Sequence, residues 1–433
     1  MDIKTLKKKR FGLISLGCDK NRVEAEKMLG LVRDFGMEIV NSCEDADIVV
    51  VNTCAFLNVA RLEAINEIAM LSELKRLGKL EKIIVTGCFT KYKDTLTSDI
   101  ANFVDAFVPI REAPNIIDVI AGVYGIESGY ECKNLRLLTT PSHIAYLKIA
   151  DGCNNHCAYC AIPSIRGEYR SVPLEDLITE ATYLVNKGVK ELILVAQDVT
   201  RYGQDLYCEN KLIELLKQLE NIKDLKWIRL HYCYPEMVTD ELIDHIAKSK
   251  KICKYLDVPL QHISDKILKS MFRRNTKSST LELINKLKSK GIVIRSTFIV
   301  GFPGETKEDF KELCTFLKEQ KLDFVGFFAY SNEEGTKSFE YPNQVPAKVK
   351  EKRLRKVEKI QTKILKQKQK SYIGATIPTI IDEVLDEGLA LGRTEYNSYG
   401  VDTNIYVIGD TKQGEIVNVK VIKTDKIELI GEC

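Results

Sequence analysis

Over the first 125 residues, short apolar runs alternate with stretches whose apolar side chains recur every three or four positions. Phe11–Leu16, Ile48–Val51 and Lys82–Thr86 have strand length, and Gly17 and Gly87 close the first and the third. Between them, Val23, Met28, Leu29, Leu31, Val32 and Phe35 fall on helical spacing over 23–35, and a second helical stretch runs from Val59 to Leu77. Apolar strands that alternate with helices predict an open parallel α/β sheet covered on both faces. Residues 126–140 are polar and irregular, with Thr139, Thr140 and Pro141 before the next strand, and mark a boundary.

Six further strand-like runs follow: Ile144–Ala150, Glu191–Ala196, Trp227–Tyr232, Tyr255–Leu260, Ile292–Gly301 and Phe324–Tyr330. Helical patterns such as Leu174–Asn186 and Lys307–Lys318 separate most of them. Six βα units predict a partial (β/α)6 barrel of the TIM type, since eight units take roughly 250 residues. Ala347–Lys370 reads as one long helix with eleven basic and two acidic residues. It suits either a solvated connector or contact with an anionic partner such as RNA. Strand signals at Thr379–Leu385, Gly400–Val407 and Glu415–Leu429, with Pro378 tolerated at a strand start, predict a small antiparallel β-barrel. The expected domains are therefore 8–125, 139–370 (with the basic helix) and 372–433.

Composition narrows the class. Of 433 residues, 45% are hydrophobic and 29% charged, an ordinary globular balance that excludes a largely disordered chain. No apolar run approaches the ~18 residues of a membrane span. Lys7, Lys8, Lys9 and Arg10 before Phe11–Leu16 and Cys18 mimic a lipidated secretion signal. That apolar core is shorter than the usual ~7–15 residues, and Ser15 stands where an aliphatic residue is usual. A cytoplasmic protein is expected. The net charge of +3 hides segregation, because 373–433 hold five basic and eleven acidic residues. Thirteen cysteines over so long a chain point to metal or redox chemistry in a reducing compartment, not to a disulfide scaffold.

Two sets of cysteines stand out. Cys153, Cys157 and Cys160 form C-x-x-x-C-x-x-C directly after the first barrel strand, at the end where barrel loops build active sites. Three thiolates there can hold three irons of a [4Fe–4S] cluster and leave the fourth open. A zinc site is the alternative, with His156 the nearest fourth ligand. Cys18, Cys54 and Cys88 each follow a strand of the first domain, where ligands of open α/β sheets gather, and can converge on a second cluster. Buried packing is the plain alternative for free cysteines, and it is the expectation for Cys43, Cys132, Cys208, Cys233, Cys253, Cys314 and Cys433. Gly301-Phe302-Pro303-Gly304-Glu305 ends a strand and opens a helix, a weak motif for anion binding.

The loop Cys153–Cys160, on the first strand of a six-strand partial barrel, resembles the signature of the radical S-adenosylmethionine (SAM) superfamily. Tyr159, the aromatic residue before the third cysteine, is in keeping with it. The resemblance implies that the open iron binds SAM through its amino and carboxylate groups and that an electron cleaves SAM to a 5′-deoxyadenosyl radical. Over its full length the chain resembles the methylthiotransferases of that superfamily. Cys18, Cys54 and Cys88 match their auxiliary [4Fe–4S] cluster, and the C-terminal barrel matches their TRAM domain, which grips the substrate. SLGCDKN at Ser15–Asn21 resembles the RimO group, which modifies an aspartate of small-subunit ribosomal protein S twelve; the transfer-RNA group usually has Met-Asn in place of Lys20-Asn21. AIPSIRG (Ala161–Gly167), AQDVTRYG (Ala196–Gly203) and VPLQHIS (Val258–Ser264) resemble RimO runs as well. Glu24-Ala25-Glu26 and Asn58-Val59-Ala60 depart from the usual Asp-Ser-Glu and Asp-Ser-Ala.

The resemblance implies hydrogen abstraction from the aspartate β-carbon, sulfur carried or donated at the auxiliary cluster, and a methyl group from a second SAM. Gln197, Gly301, Gly304 and Glu305 are candidates for the SAM pocket, by their place at strand ends of the barrel. Expected partners are the ribosomal protein, free or on the ribosome, and a low-potential electron donor such as flavodoxin or ferredoxin; a monomer is expected. The acidic C-terminal segment favours a basic protein over transfer RNA, whose phosphates call for a basic surface. The same chemistry on transfer-RNA adenosine, a non-catalytic iron–sulfur electron carrier and a zinc-binding RNA-contact protein are the alternatives.

Overall fold

A computed structural model describes residues 2–111, 115–131, 133 and 135–433, which leaves Cys132 outside the described residues. The chain divides into two compact units, 1–139 with 160–168, and 140–159 with 169–433.

The first unit is built on strands β1 (Arg10–Ser15), β2 (Glu38–Ile39), β3 (Ile48–Thr53), β4 (Lys82–Gly87) and β5 (Ala106–Val108), all parallel in the order β2-β1-β3-β4-β5. β3 is buried at every position, as a strand covered on both faces must be. Its Ile48 and Val50 face Met28, Val32 and Phe35 of the helix Asp19–Phe35. Val49 and Val51 face Ala64, Ile68 and Leu71 of the helix Asn58–Arg76. The edge strands β2 and β5 have two and three residues, too few to register as a period in the sequence.

In the second unit, β6 (Ile144–Lys148) is followed by a two-stranded ribbon of β7 (Ala150–Asp151) and β8 (Arg170–Ser171). The expected run Ile144–Ala150 thus breaks at Ile149. Strands β9 (Glu191–Val195), β10 (Trp227–Leu230), β11 (Ile252–Asp257), β12 (Val293–Val300) and β13 (Phe324–Ala329) then add in chain order to a six-stranded sheet, β13-β12-β11-β10-β9-β6. Every pairing in it is parallel, the product of successive βα units laid side by side. The basic helix, Ala347–Ser371, packs on β13 and on the helix Lys307–Gln320.

The C-terminal barrel closes as β14-β15-β16-β18-β17, with β14 (Thr376–Asp386), β15 (Leu389–Thr394), β16 (Ile405–Ile408), β17 (Ile416–Asp425) and β18 (Glu428–Glu432). The expected antiparallel pairing holds for four of its contacts, whereas β16 and β18 run parallel, with Ile405 opposite Leu429. Five strands cannot alternate in direction round a closed ring, so one parallel pair is unavoidable. Glu415–Leu429 is two strands, turned at Lys426, whose φ is 53°. A buried polar network joins this barrel to the central sheet. Glu191 accepts from Arg229 Nε (2.8 Å) and Arg393 Nη2 (2.7 Å), and Arg393 Nε donates to Asp382 (2.5 Å). Among the described residues, no helix is long and apolar enough to cross a membrane.

Candidate functional site

Cys18, Cys54 and Cys88 follow the carboxyl ends of β1, β3 and β4, three neighbours in one sheet. The two glycines that precede Cys18 and Cys88 are demanded by this crowding. Gly17 has φ 96°, and a Cβ there would lie 2.7 Å from Cys54 Cβ. Gly87 has φ 90°, and its Cβ would lie 2.5 Å from Thr53 N and 2.7 Å from Asn52 Oδ1. Asn21 fastens the loops together. Its Nδ2 donates to the carbonyls of Leu16 (3.0 Å) and Thr53 (2.8 Å), and its own carbonyl accepts from Asn52 Nδ2 at 2.7 Å.

Arg166 lies in the segment 160–168 that belongs to this unit. Its side chain is buried and donates to Asn21 Oδ1 (2.5 Å) and Glu24 Oε1 (3.0 Å). Burial pushes the thiols of Cys54 and Cys88 up, Cys88 to about 11, and the guanidinium of Arg166 opposes that rise at both. Three sulfurs on adjoining loops, beside a permanently charged and buried arginine, fit an anionic cluster bound through thiolates. Glu24, where the family usually has Asp, is the arginine's carboxylate partner. The neighbouring Glu26 is paired with Arg136 and accepts from Thr139 N at 2.8 Å.

Arg166→Gln is expected to cut bound iron from about eight toward about four atoms per chain while 5′-deoxyadenosine is still formed. Arg166→Lys, which keeps the charge but not the planar fork, is expected to restore part of the iron. Full iron loading in both variants, read by iron and sulfide analysis, would remove this role.

In the central unit, the segment 152–161 after β7 has no helix or strand, and Cys153 and Cys157 are buried in it. Asn155 N–H points at Cys153 Sγ (3.4 Å), and Arg273 Nη1 lies 3.8 Å from Cys157 Sγ. The Tyr234 hydroxyl is 3.6 Å from the same sulfur, and Arg273 stacks on the Tyr234 ring at 4.3 Å. A cavity of about 210 Å³ opens there, lined by Asn155, His156, Cys157, Tyr234 and Arg273 among others. Burial pushes the Cys153 thiol up to about 11, and the hydrogen bonds from Asn155 oppose that rise. Cys160 heads the segment that packs into the first unit and is half-buried. His156 is exposed, and among the described residues no three His, Cys, Asp or Glu side chains converge as a single bound ion would require. That holds for the two cysteine triplets as much as for a zinc set, so the choice between a cluster and zinc rests on the spacing of the cysteines and the exposure of His156.

The four SAM-pocket candidates divide. Gln197 follows β9 and donates to Asp151 Oδ1 at 3.3 Å, while its buried Oε1 has no partner among the described residues. Glu305 is fully buried and engaged elsewhere, by the N–H of Gly301 and by Arg353 Nη1 at 3.3 Å. Gly301 faces the basic helix, since its Cβ would meet Lys350 Cγ at 2.5 Å. Gly304 is set by its φ of 80°, with no atom within 4 Å of where a Cβ would sit. The helix that follows is capped by its own Thr306 and Asp309, which take up the N–H groups of Asp309 and Thr306 respectively.

Sequence spacing did not single out Asn21, Arg166, Tyr234 or Arg273. The first two do lie in the SLGCDKN and AIPSIRG runs; Arg273 and Tyr234 carry no local signal. Of the remaining cysteines, Cys233, Cys253 and Cys314 are buried, and burial pushes Cys253 up to about 12. Cys43 is half-buried, whereas Cys208 and Cys433 lie on the surface and are not packed as expected.

Residues 10–109 match the uncharacterized protein family UPF0004, 147–317 the radical SAM superfamily and 373–433 the TRAM domain. A relative from Desulforamulus reducens, named ribosomal protein uS12 methylthiotransferase RimO, is 43% identical and covers 98% of this chain and 99% of its own. One of the same name from Caldanaerobacter subterraneus subsp. tengcongensis is 44% identical, over 98% of this chain and all of its own (100%). Among solved structures, the radical SAM methyltransferase TsrM from Kitasatospora setae, with cobalamin and a [4Fe–4S] cluster bound, aligns with a TM-score of 0.53. It is 13% identical and covers 74% of this chain and 75% of that one, a likeness of fold.

Proposed function

The chain belongs to the ribosomal protein uS12 methylthiotransferase RimO family of radical SAM enzymes, and on that premise we propose that it adds a methylthio group to the β-carbon of an aspartate in that ribosomal protein. The observation that carries the reading is full-length identity above 40% to relatives of that name, in a chain that retains both cysteine triplets. It favours an enzyme over an electron carrier and a protein substrate over transfer RNA.

Cys153, Cys157 and Cys160 would hold the cluster that engages SAM, and Cys18, Cys54 and Cys88 the auxiliary one. When bound, these [4Fe–4S] groups supply the low-potential electron that cleaves SAM and a site for the incoming sulfur. The chain's own residues bind and orient. The Asn155 N–H and Arg273 hold positive potential on the sulfurs of Cys153 and Cys157. The orphaned Oε1 of Gln197 offers an acceptor to the ammonium of SAM. Glu305, Gly301 and Gly304 shape the end of β12 from behind. Arg166 and Asn21 fix the loops that carry Cys18, Cys54 and Cys88.

The functional divisions are 8–125, 139–370 and 372–433. The enzyme acts as a cytoplasmic monomer, served by a flavodoxin- or ferredoxin-like donor. Deletion of the gene, followed by mass spectrometry of ribosomal proteins and transfer-RNA nucleosides from the same cells, tests the reading. Loss of the methylthio group from uS12 is expected. Loss of methylthio-adenosines with uS12 intact would overturn the substrate and leave the chemistry.

A further inference from the structure

The helix Ala347–Ser371 is an improbable sequence for stability alone. It has no acidic residue in its first turn, where the helix dipole favours one. Lysines or arginines stand at 348, 352, 355, 356, 359 and 363, so that like charges repeat three and four residues apart, a destabilising arrangement. Its inner face accounts for the apolar positions. Val357 and Ile364 are buried, Gln361 Nε2 donates to the carbonyls of Leu322 and Asp323 (both 3.1 Å), and Arg353 Nη1 donates to the Glu305 carbonyl at 3.0 Å.

The outer face borders a groove of about 950 Å³ shared with the helix Lys307–Gln320, and eight cations line it: Lys318, Lys321, Lys348, Lys352, Arg355, Lys356, Lys359 and Lys363. The only carboxylate in the lining is Glu351, which pairs with Arg355 at 3.5 Å. Among the described residues, Lys318, Lys321, Lys348, Lys352, Lys359 and Lys363 have no ion-pair partner. From Lys348 to Lys363 the stripe extends about 22 Å at a rise of 1.5 Å per residue. It sits on a helix fixed by buried hydrogen bonds, so the cations are held as an array.

We propose that this groove docks on the phosphate backbone of ribosomal RNA, so that the enzyme engages its protein substrate on an RNA-containing ribosomal particle. The proposal rests on uS12 as the substrate. Charge segregation supports RNA as the occupant. The C-terminal barrel segment is acidic, with five basic and eleven acidic residues, and suits a basic ribosomal protein; the groove suits the phosphates beside it. A membrane surface is disfavoured, because an interfacial helix needs a broad exposed apolar face. Here the large apolar side chain exposed on the helix is Val349.

The test uses the anaerobically reconstituted enzyme, small ribosomal subunits from cells that lack the gene, and isolated uS12. Lys352→Glu, Lys359→Glu and Lys363→Glu are combined in one variant, and the same sites are changed to Gln in a second that spares the helix added carboxylates. Wild-type binding to subunits, followed by co-sedimentation, is expected to weaken steeply with salt. The triple variants are expected to flatten that slope by about two to three, at roughly 0.7–0.9 for each phosphate no longer neutralised. Their affinity should fall at least tenfold, with SAM cleavage and modification of isolated uS12 kept.

An unchanged salt slope and affinity in both variants would overturn the proposal. So would an equal loss of activity on isolated uS12, or loss of binding only to vesicles of anionic lipid. If wild type modifies uS12 neither free nor in subunits, the functional reading fails, separately from the groove.

Discussion

Cys157→Ala is expected to abolish 5′-deoxyadenosine formation, and Cys54→Ala to leave it while methylthiolated uS12 disappears. Cys157 is one of three sulfurs on the loop that follows β7, with Arg273 and Tyr234 directed at it. Groups that act as a unit fail together, so one missing ligand should cost about three orders of magnitude or more in SAM cleavage. Cys54 stands in the other unit, packed on Gly17 beside the Cys18 turn. Each variant should bind about four irons in place of about eight. Chromatography of 5′-deoxyadenosine and mass spectrometry of the uS12 peptide, on the same reaction, separate the two losses. Methylthiolation at the wild-type level by Cys54→Ala would sink the assignment of the N-terminal triplet. SAM cleavage by Cys157→Ala would do the same for the central one.

The parts of this site that follow from the chain's periodicity were legible in its sequence. Strands that end in Gly17-Cys18 and Gly87-Cys88 place those cysteines at one edge of a parallel sheet, because every strand of such a sheet points the same way. The six successive βα units of the partial barrel were legible from the same periodicity. What escaped the pattern depends on contacts across long sequence distance. Arg166 finds Glu24 and Asn21 more than 140 residues away, and the segment that carries it leaves the central unit to join the first. Arg273 reaches Cys157 over a separation of 116 residues. The Gly301–Glu305 turn shows the converse. Its residues resemble an anion site, yet Glu305 is committed to Gly301 and Arg353, and the helix is capped by its own side chains. Local composition cannot reveal whether a donor is already taken.

Arg393→Ala should cost about 3–5 kcal/mol of the stability of the second unit, the usual penalty for breaking a buried ion pair from one side. Arg393 is fully buried and bridges Glu191 of β9 and Asp382 of β14, while Arg229 takes the other oxygen of Glu191. Its loss leaves Asp382 with His143 Nε2 at 3.0 Å and Glu191 with Arg229 alone. Burial works against the charged form of Glu191, but Arg393 and Arg229 outweigh it and hold its pKa down to about 2 from 4.5. A carboxylate depressed in this way stabilises the fold fully above about pH 4.5, its unfolded value, and that contribution drains away as the pH falls toward 2. Urea unfolding of the full chain, followed by tryptophan fluorescence from Trp227 on β10, reads both effects. Wild type should lose stability between pH 4.5 and 2. Arg393→Ala should start lower at pH 7 and lose less over that window, because the remaining arginine depresses Glu191 less. Arg393→Lys, with charge but no fork, should fall between them. An Arg393→Ala midpoint equal to wild type at pH 7 would mean that the barrel is held by its apolar contacts, Ile380 packed with Trp227 and Tyr255, and not by the buried charges.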